Sequence, residues 1–269
     1  MIPARPKYFT RNLAVASMPG ASVYEFLVVW NDDVRSLPVI LEVFSRHNAK
    51  VVLAHSQLDE GENLMVGTFF CNLTEATQGA DDIRKEVMGL SFVESVEFAS
   101  TEHSLFDKFL FPVTVWGRER VLIIRLIPLL NIENRLRLEL GSAGSAIMFR
   151  EGESYAAETL NQYRRVLGNA TQESLMENVK DGLRATGWGI FEFKPTKEGY
   201  EVTVKDPALL EGMTEPGRFL CGIIVGIIES VYEIKVNVVQ SAVNPKSGQA
   251  LVRLSKVSAA QKAEEASAE

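Results

Sequence analysis

The sequence predicts an α+β protein made of two successive domains. Residues 22–100 alternate between the strand and helix periods in the order βαββαβ, whereas residues 111–256 combine helical stripes with paired strands. Between these regions, residues 100–111 follow neither pattern and mark the boundary. The predicted divisions are an N-terminal arm at 1–20, domains at 21–102 and 111–256, and a flexible tail at 257–269.

The first predicted domain contains four strands and two helices. Ser36 is a candidate N-cap, Pro38 fits the first helical turn, and Leu37, Leu41 and Phe44 form a helical stripe. The predicted elements are strands at 23–30, 50–56, 64–72 and 92–99, and helices at 36–48 and 77–90. This βαββαβ order is that of the ferredoxin-like fold.

The second predicted domain begins with a hairpin and three helices. The first helix carries Leu129, Ile132, Leu136 and Leu140 at helical spacing, so this stripe needs a partner within the domain or across a dimer. The remaining predicted elements are a long helix at 142–167, a helix capped by Thr171 that ends at Gly187, strands at 188–193 and 200–204, a helix at 217–232, and strands at 234–240 and 250–254. The opening hairpin is predicted at 113–115 and 120–124.

Glycines on two of these helices predict close packing. Gly152 shares a face of the long helix with Phe149, Ala156 and Leu160, and a helical glycine usually permits the approach of another backbone or a ligand. Gly222 and Gly226 lie one turn apart on the last helix and favour tight packing there.

Charge and composition exclude several classes of function. The net charge of -7 disfavours binding to nucleic acid, because an acidic surface repels phosphates. The longest apolar run, residues 219–228, is about half the length that a membrane span needs. Residues 1–20 lack the apolar core of a signal peptide, so we expect a cytoplasmic protein. Cys71 and Cys221 fit buried apolar positions better than a disulfide framework.

The sequence offers little catalytic chemistry. All three histidines, His47, His55 and His103, precede the second domain, which therefore cannot hold a Ser-His-Asp or Cys-His arrangement. No nucleotide-binding glycine motif or metalloprotease motif occurs. We expect a protein that is not an enzyme, has no catalytic residues and needs no cofactor.

The first domain resembles an ACT domain, a module that often binds amino acids at the turn after its first strand. The matching segment is residues 31–37. Arg35 stands where that family usually has glycine, and an arginine does not allow the same close approach of backbone to ligand. We predict a dimerisation or packing domain, with amino-acid binding as the alternative.

Residues 111–256 resemble the vinyl-4-reductase domain. The match rests on an opening Val-Trp-Gly hairpin, the helix end Glu139-Leu140-Gly141, the run 146–155, the strand GWGIFEF, and Cys221-Gly222 followed by a strand and the Gly248 turn. The resemblance implies a mixed α/β fold related to subunits of transport-particle tethering complexes. It also implies dimerisation and an apolar cavity that serves as a sensor of aromatics or hydrocarbons, or a role beside tetrapyrrole biosynthesis.

One departure from that family concerns metal. Many members bind zinc through two cysteines in the last strand pair, but here that region reads QSAVNPKSGQALVRL and contains none. Zinc sites need thiolate, imidazole or carboxylate ligands. We therefore expect no structural zinc.

The leading hypothesis is a regulatory or sensor protein that holds an apolar or aromatic ligand in its second domain. Its candidate ligand-binding residues lie on the elements that line the cavity in the resembled family, and they are Phe149, Arg150, Tyr155, Tyr163, Trp188, Phe191 and Phe219. Arg150 or Tyr155 would hold a carboxylate or hydroxyl of the ligand. We expect a homodimer and a protein partner that transmits the output.

Three alternatives stay open. The aromatic side chains would simply fill the core in a non-catalytic assembly protein that resembles tethering-complex subunits. The protein would otherwise be an accessory factor, or an enzyme, in tetrapyrrole or aromatic metabolism.

Overall fold

The computed structural model describes residues 20–31, 35–59, 61–101, 108–110, 113–115, 119–123, 126–208, 216–244 and 247–257. The chain divides into two compact units, Met1–Val121 and Leu122–Glu269. The predicted α+β class is confirmed, because the described residues form helices and two four-stranded antiparallel sheets. The division falls after the predicted boundary at 100–111, and the exact domain bounds stay a prediction.

The first six elements of the first unit follow the predicted βαββαβ order, and the hairpin predicted to open the second domain also falls in this unit. Its elements are β1 (Val23–Asn31), α1 (Ser36–Arg46), β2 (Lys50–Asp59), β3 (Leu64–Asn72), α2 (Ala80–Met88), β4 (Val93–Ser100), β5 (Thr114–Val115) and β6 (Glu119–Arg120). The sheet order is β2-β3-β1-β4, with every neighbouring pair antiparallel, which is the ferredoxin-like arrangement. The strands β5 and β6 form a short hairpin, and β6 ends well before the predicted residue 124.

The helices of the first unit cover one face of its sheet. The core there is built around Phe26, Trp30, Phe44 and Phe69, all essentially inaccessible to solvent. The predicted α1 stripe was partly wrong: Ile40 and Val43 are buried with Phe44, whereas Leu41 is exposed. The helix is apolar on several sides, so its sequence admits more than one stripe. Arg35, rather than Ser36, occupies the N-cap position of α1.

The opposite face of this sheet carries a buried acid that the sequence pattern does not reveal. Glu25 on β1 is fully buried, and its Oε2 accepts a hydrogen bond of 3.0 Å from the backbone N–H of Lys108. Phe70 and Val23 are buried on the same side. The chain that follows β4 is thereby attached to the outer face of the sheet.

The second unit packs helices on a second antiparallel sheet. Its elements are α3 (Leu126–Leu140), α4 (Ser142–Leu167), α5 (Gln172–Ala185), β7 (Ile190–Pro195), β8 (Gly199–Lys205), α6 (Arg218–Tyr232), β9 (Val236–Asn244) and β10 (Gln249–Lys256). The strand order is β7-β8-β10-β9. Residues 220–228 of α6 are buried throughout, so this helix lies at the centre of the unit. Within the described part of the chain, no helix is both long and apolar enough to cross a bilayer.

The predicted stripe of α3 packs only in part within its own unit, and the alternative of a partner across a dimer stays a prediction. The helix buries Leu130 and Glu133 and packs Leu126 and Leu129 against the core, whereas Ile132 is 53% exposed. Apolar side chains occur on several sides of α3, and its sequence alone therefore does not decide which side faces the core. The face predicted for α4 is confirmed, with Gly152, Ala156 and Leu160 buried.

Candidate functional site

Three aromatic side chains from three different elements meet in the second unit. Tyr155 lies on α4, Trp188 precedes β7, and Phe219 lies in the first turn of α6. The ring centroids are 5.6 Å apart for Tyr155 and Trp188, 6.1 Å for Tyr155 and Phe219, and 5.7 Å for Trp188 and Phe219. The Trp188 Nε1–H donates a hydrogen bond of 3.2 Å to the Tyr155 hydroxyl. We call these three residues the aromatic cluster.

Glycines bring the helices of the aromatic cluster together, as the sequence predicts. A Cβ atom on Gly152 would lie 2.2 Å from the carbonyl oxygen of Phe219, and one on Gly222 would lie 2.0 Å from that of Phe149. Real Cβ atoms essentially never come under 3.0 Å, so α4 and α6 touch backbone to backbone. Gly226 extends this contact by one turn, next to Ala156. The close crossing of α4 and α6 sets the positions of Tyr155 and Phe219.

The first turn of α6 is held by a carboxylate from α3. Glu133 is 6% exposed, and its Oε1 accepts a hydrogen bond from the backbone N–H of Arg218. Gly217 occupies the N-cap position and has no side chain to cap the helix, so Glu133 takes over that role. A negative charge is also favourable at this positive end of the helix dipole. Its Oε2 is buried and has no hydrogen-bond partner among the described residues.

Arg218, which precedes Phe219 in the chain, adds a positive charge to the first turn of α6. Its guanidinium lies over the ring of Phe149, with Cζ 5.2 Å from the ring centroid, a cation–π contact. Sequence reasoning missed both Arg218 and Glu133. They are 85 positions apart, and no local motif connects them.

The structure brings together only part of the predicted site. Tyr155, Trp188 and Phe219 form the aromatic cluster, whereas the described ring contact of Phe149 is with the Arg218 guanidinium. Phe191, in contrast, is 2% exposed and stacks on Phe193 in the core of the unit.

Two predicted site residues have contacts of another kind. The hydroxyl of Tyr163 lies against Gly182 of α5, and burial raises the pKa of this tyrosine. Arg150 is exposed on α4, where its charge acts on Glu153. The charge of Tyr155 in the aromatic cluster also raises the pKa of Tyr163, whereas Arg150 makes no described ring contact with the cluster.

The described residues enclose two cavities, and both are lined by residues other than those predicted to bind a ligand. One, of about 710 Å³ in the first unit, lies between the end of α1 and the start of β2 and includes Ser45, Asn48 and Lys50. The other, of about 530 Å³, lies between α4 and the end of α6 and includes Glu153 and Glu229. Neither cavity is lined by any of the seven predicted ligand-binding residues.

The cavity at the end of α6 holds a perturbed acid. Burial raises the pKa of Glu153, and the charge of Glu229 raises it further. Glu229 pairs with Lys235 at 2.5 Å and accepts the backbone N–H of Val236 at 3.1 Å. These contacts join the end of α6 to the start of β9.

The turn predicted to resemble an amino-acid site is described only in part. Residues 32–34 lie outside the described residues, and so do Trp116, Gly117 and Arg118 of the predicted hairpin turn. The amino-acid-binding alternative therefore stays a prediction.

Cysteine and metal chemistry are limited among the described residues. Cys71 and Cys221 are both buried and form no disulfide within the described residues, as predicted, and burial raises the pKa of Cys71 to about 12. No group of three His, Cys, Asp or Glu side chains in the described ranges is placed to hold a metal ion.

Comparison with known proteins gives no family assignment. No family model matches the chain, and no curated protein is significantly similar to it in sequence. One similar solved structure is the phenol-responsive sensory domain of the transcription activator PoxR with phenol. It has 13% identity and a TM-score of 0.44, and the match covers 56% of this chain and 84% of that chain.

A second similar structure is the C-terminal domain of the MgtC protein from Mycobacterium tuberculosis. The identity is 12% and the TM-score 0.27, over 33% of this chain and 97% of that chain. At these TM-scores, neither similarity bears on the function of this chain. The ACT and vinyl-4-reductase resemblances stay predictions.

Proposed function

We propose that the second unit binds an aromatic small molecule and that the chain acts as a ligand-binding regulatory protein or sensor. The observation that carries this proposal is the aromatic cluster, in which Tyr155 is 39% exposed while Trp188 and Phe219 pack against the core. Ligand sites combine apolar and aromatic walls with a few polar groups that orient the ligand. The cluster offers this combination close to the surface.

Two polar groups, one in the cluster and one on the residue before Phe219, suit a ligand that carries an acceptor oxygen. The Tyr155 hydroxyl accepts the Trp188 N–H, and its own hydrogen has no acceptor among the described residues. The Arg218 guanidinium rests on the Phe149 ring and donates no hydrogen bond to a described residue. An aromatic acid or ketone would stack on the rings and accept hydrogen bonds from these donors.

Calorimetric titration of the full chain with benzoate, acetophenone and toluene tests the proposal. We expect saturable binding in the order benzoate, acetophenone, toluene. Tyr155→Phe should weaken acetophenone binding about fivefold, since one neutral hydrogen bond is worth about 1 kcal/mol. Trp188→Ala should abolish binding.

A matched control uses another tyrosine of the same unit. Tyr232 stacks on Tyr200 at 5.3 Å and makes no described contact with the aromatic cluster. Tyr232→Phe should therefore leave every affinity unchanged. If a broad panel of aromatics and lipids gives no saturable binding, the proposal fails.

A second candidate function is that of a non-catalytic assembly protein with a filled core. The burial of Phe191 and the absence of predicted ligand-binding residues from both described cavities favour this candidate. Organic extraction of natively purified protein, followed by mass spectrometry, separates the two candidates. A stoichiometric aromatic molecule favours the sensor, whereas an empty extract together with a stoichiometric protein partner in pull-downs favours the assembly protein.

A further inference from the structure

The cavity of about 710 Å³ in the first unit plays no part in the function proposed for the second unit. Its wall combines the end of α1, the start of β2, the end of β3 and the residues that follow β3. Ligand pockets in proteins commonly occupy about 300–1,000 Å³. Residues 31–37 lead into the N-terminal end of α1, and the eleven residues of this helix span about 16 Å. The cavity is therefore separate from the segment that resembles an amino-acid site.

Hydrogen bonds between its own residues hold the wall of this cavity. Asn48 adopts the left-handed conformation after α1, with φ 55°, and its Nδ2 donates a hydrogen bond of 2.9 Å to the carbonyl oxygen of Glu75. Asn72 Oδ1 accepts hydrogen bonds from the Thr74 N–H at 2.9 Å and from the Thr74 hydroxyl at 2.6 Å. These contacts attach the segment after β3 to the end of α1, so the wall is formed without a ligand.

Two side chains of opposite charge line this cavity without pairing. Lys50 begins β2, Glu75 follows β3, and both are exposed. Neither side chain forms an ion pair or a hydrogen bond with any residue that the structure describes. The ammonium group and the carboxylate are therefore both available to a ligand. A ligand that carries one negative and one positive group would satisfy both by electrostatic attraction.

The backbone of β2 supplies hydrogen-bonding groups beside these charges. Within the described residues, β2 is an outer strand of the sheet β2-β3-β1-β4, so one side of it pairs with no other strand. The unpaired N–H and C=O groups of such an edge can bind the amides of an extended peptide. Lys50 and Val51, the first two residues of β2, line the cavity, and Leu41 adds an apolar side chain to its wall.

We propose that this cavity binds a short peptide with free termini, two or three residues long. The carboxylate of the peptide pairs with the Lys50 ammonium group, its own ammonium group pairs with the Glu75 carboxylate, and its amides lie along the start of β2. The C-terminal end of a helix dipole is negative, and Asn48 joins this end of α1 to Glu75, which favours the ammonium group there. A single amino acid would fill only a small part of about 710 Å³.

Calorimetric titration of the full chain with the tripeptide Ala-Leu-Ala tests the proposal. We expect saturable binding of the peptide with free termini. Acetylation of its N-terminus and amidation of its C-terminus should each weaken binding about fivefold, which is the upper range for one exposed ion pair. Free leucine should bind more weakly than the tripeptide, because it cannot reach both charges and the edge of β2 together.

Two variants assign the termini of the peptide to the two charges. Lys50→Gln should bind the free and the amidated peptide equally well, and Glu75→Gln should bind the free and the acetylated peptide equally well. Glu97→Gln is the matched control, because Glu97 is exposed on β4 at the other edge of the same sheet, and this variant should keep both fivefold differences. Far-UV circular dichroism should show wild-type secondary structure in all three variants.

Three results would overturn the proposal or its assignments. A wild-type chain that gives no saturable binding of Ala-Leu-Ala overturns it, and so does a blocked peptide that binds as tightly as the free one. Free leucine that binds as tightly as the tripeptide overturns the choice of a peptide as the ligand. Discrimination between free and blocked termini that survives both Lys50→Gln and Glu75→Gln overturns the roles of these two residues.

Discussion

Replacing Gly152 by alanine tests the backbone contact that builds the candidate site. The new methyl group would lie 2.2 Å from the carbonyl oxygen of Phe219 and 2.9 Å from the backbone nitrogen of Ile223. Both neighbours are backbone atoms within a buried helix, so neither can rotate away. To restore ordinary contact, α4 and α6 must separate by about 1 Å, since non-bonded carbon contacts are near 3.5 Å.

Two opposing effects decide how much Gly152→Ala changes the free energy of unfolding. Overpacking of a close-packed core costs about 1–3 kcal/mol, and the cost here should lie near the upper end because α6 is buried along most of its length. Alanine gains about 1 kcal/mol over glycine in helix propensity. The net destabilisation is about 2 kcal/mol. For a domain of this size, that corresponds to a fall in Tm of about 4–8 °C.

Differential scanning calorimetry of the full chain measures this fall in the Tm of the second unit. Where the unfolding transition of the first unit overlaps, the two transitions are separated by fitting. Gly182→Ala on α5 is the matched control. Its new Cβ would lie 1.7 Å from the Tyr163 hydroxyl, which is the tip of a side chain and can move. Combination with Tyr163→Phe removes that oxygen and should bring the Tm close to that of the wild type. A Gly152→Ala protein with an unchanged or higher Tm would show that α4 and α6 do not meet backbone to backbone.

Three further predictions concern the second unit. Glu133→Ala removes the acceptor for the Arg218 N–H and should destabilise the unit by about 2 kcal/mol in urea denaturation followed by tryptophan fluorescence. Thr171→Ala removes the cap in which the threonine hydroxyl accepts the Ser174 N–H at 3.2 Å, and should cost about 1 kcal/mol in the same assay. Because burial raises the pKa of Glu153 above its ordinary value of 4.5, the folded state binds more protons than the unfolded state, and stability should fall as pH rises from 4.5 through the raised pKa. Glu153→Gln should remove this part of the pH dependence, and a variant with the wild-type pH profile of unfolding would contradict the assignment.

Local signals in the sequence predict much of the fold. The bounds of α4 are as predicted because Gly141 and Gly168 flank it with φ values of 58° and 61°, a conformation that favours glycine. The Thr171 cap of α5 is likewise confirmed. In these cases the determining residues lie within a few positions of the element that they control.

The buried sides of α1 and α3 could not be predicted from local signals in the same way. Both helices carry apolar residues on several sides, and docking onto the sheet or onto α4 selects among them. Leu41 and Ile132 fit the helical period but are 36% and 53% exposed. Periodicity identifies the helices, whereas tertiary packing decides which of their sides is buried.

The candidate site shows a similar limit. Tyr155, Trp188 and Phe219 were selected as aromatic residues on elements expected to surround a ligand, and the structure brings them together. Glu133 and Arg218 were missed because their contact joins α3 to the start of α6, and nothing in either local sequence indicates it. Long-range pairing of this kind depends on the packed structure.

Helix α3 is joined to the candidate site by one hydrogen bond. Glu133 on its inner side accepts the backbone N–H of Arg218, one residue before Phe219 of the aromatic cluster. A ligand at the aromatic cluster that changed the position of this turn would change the hydrogen bond that holds α3. By linkage, a change at α3 that shifted this turn would alter the affinity for the ligand as well.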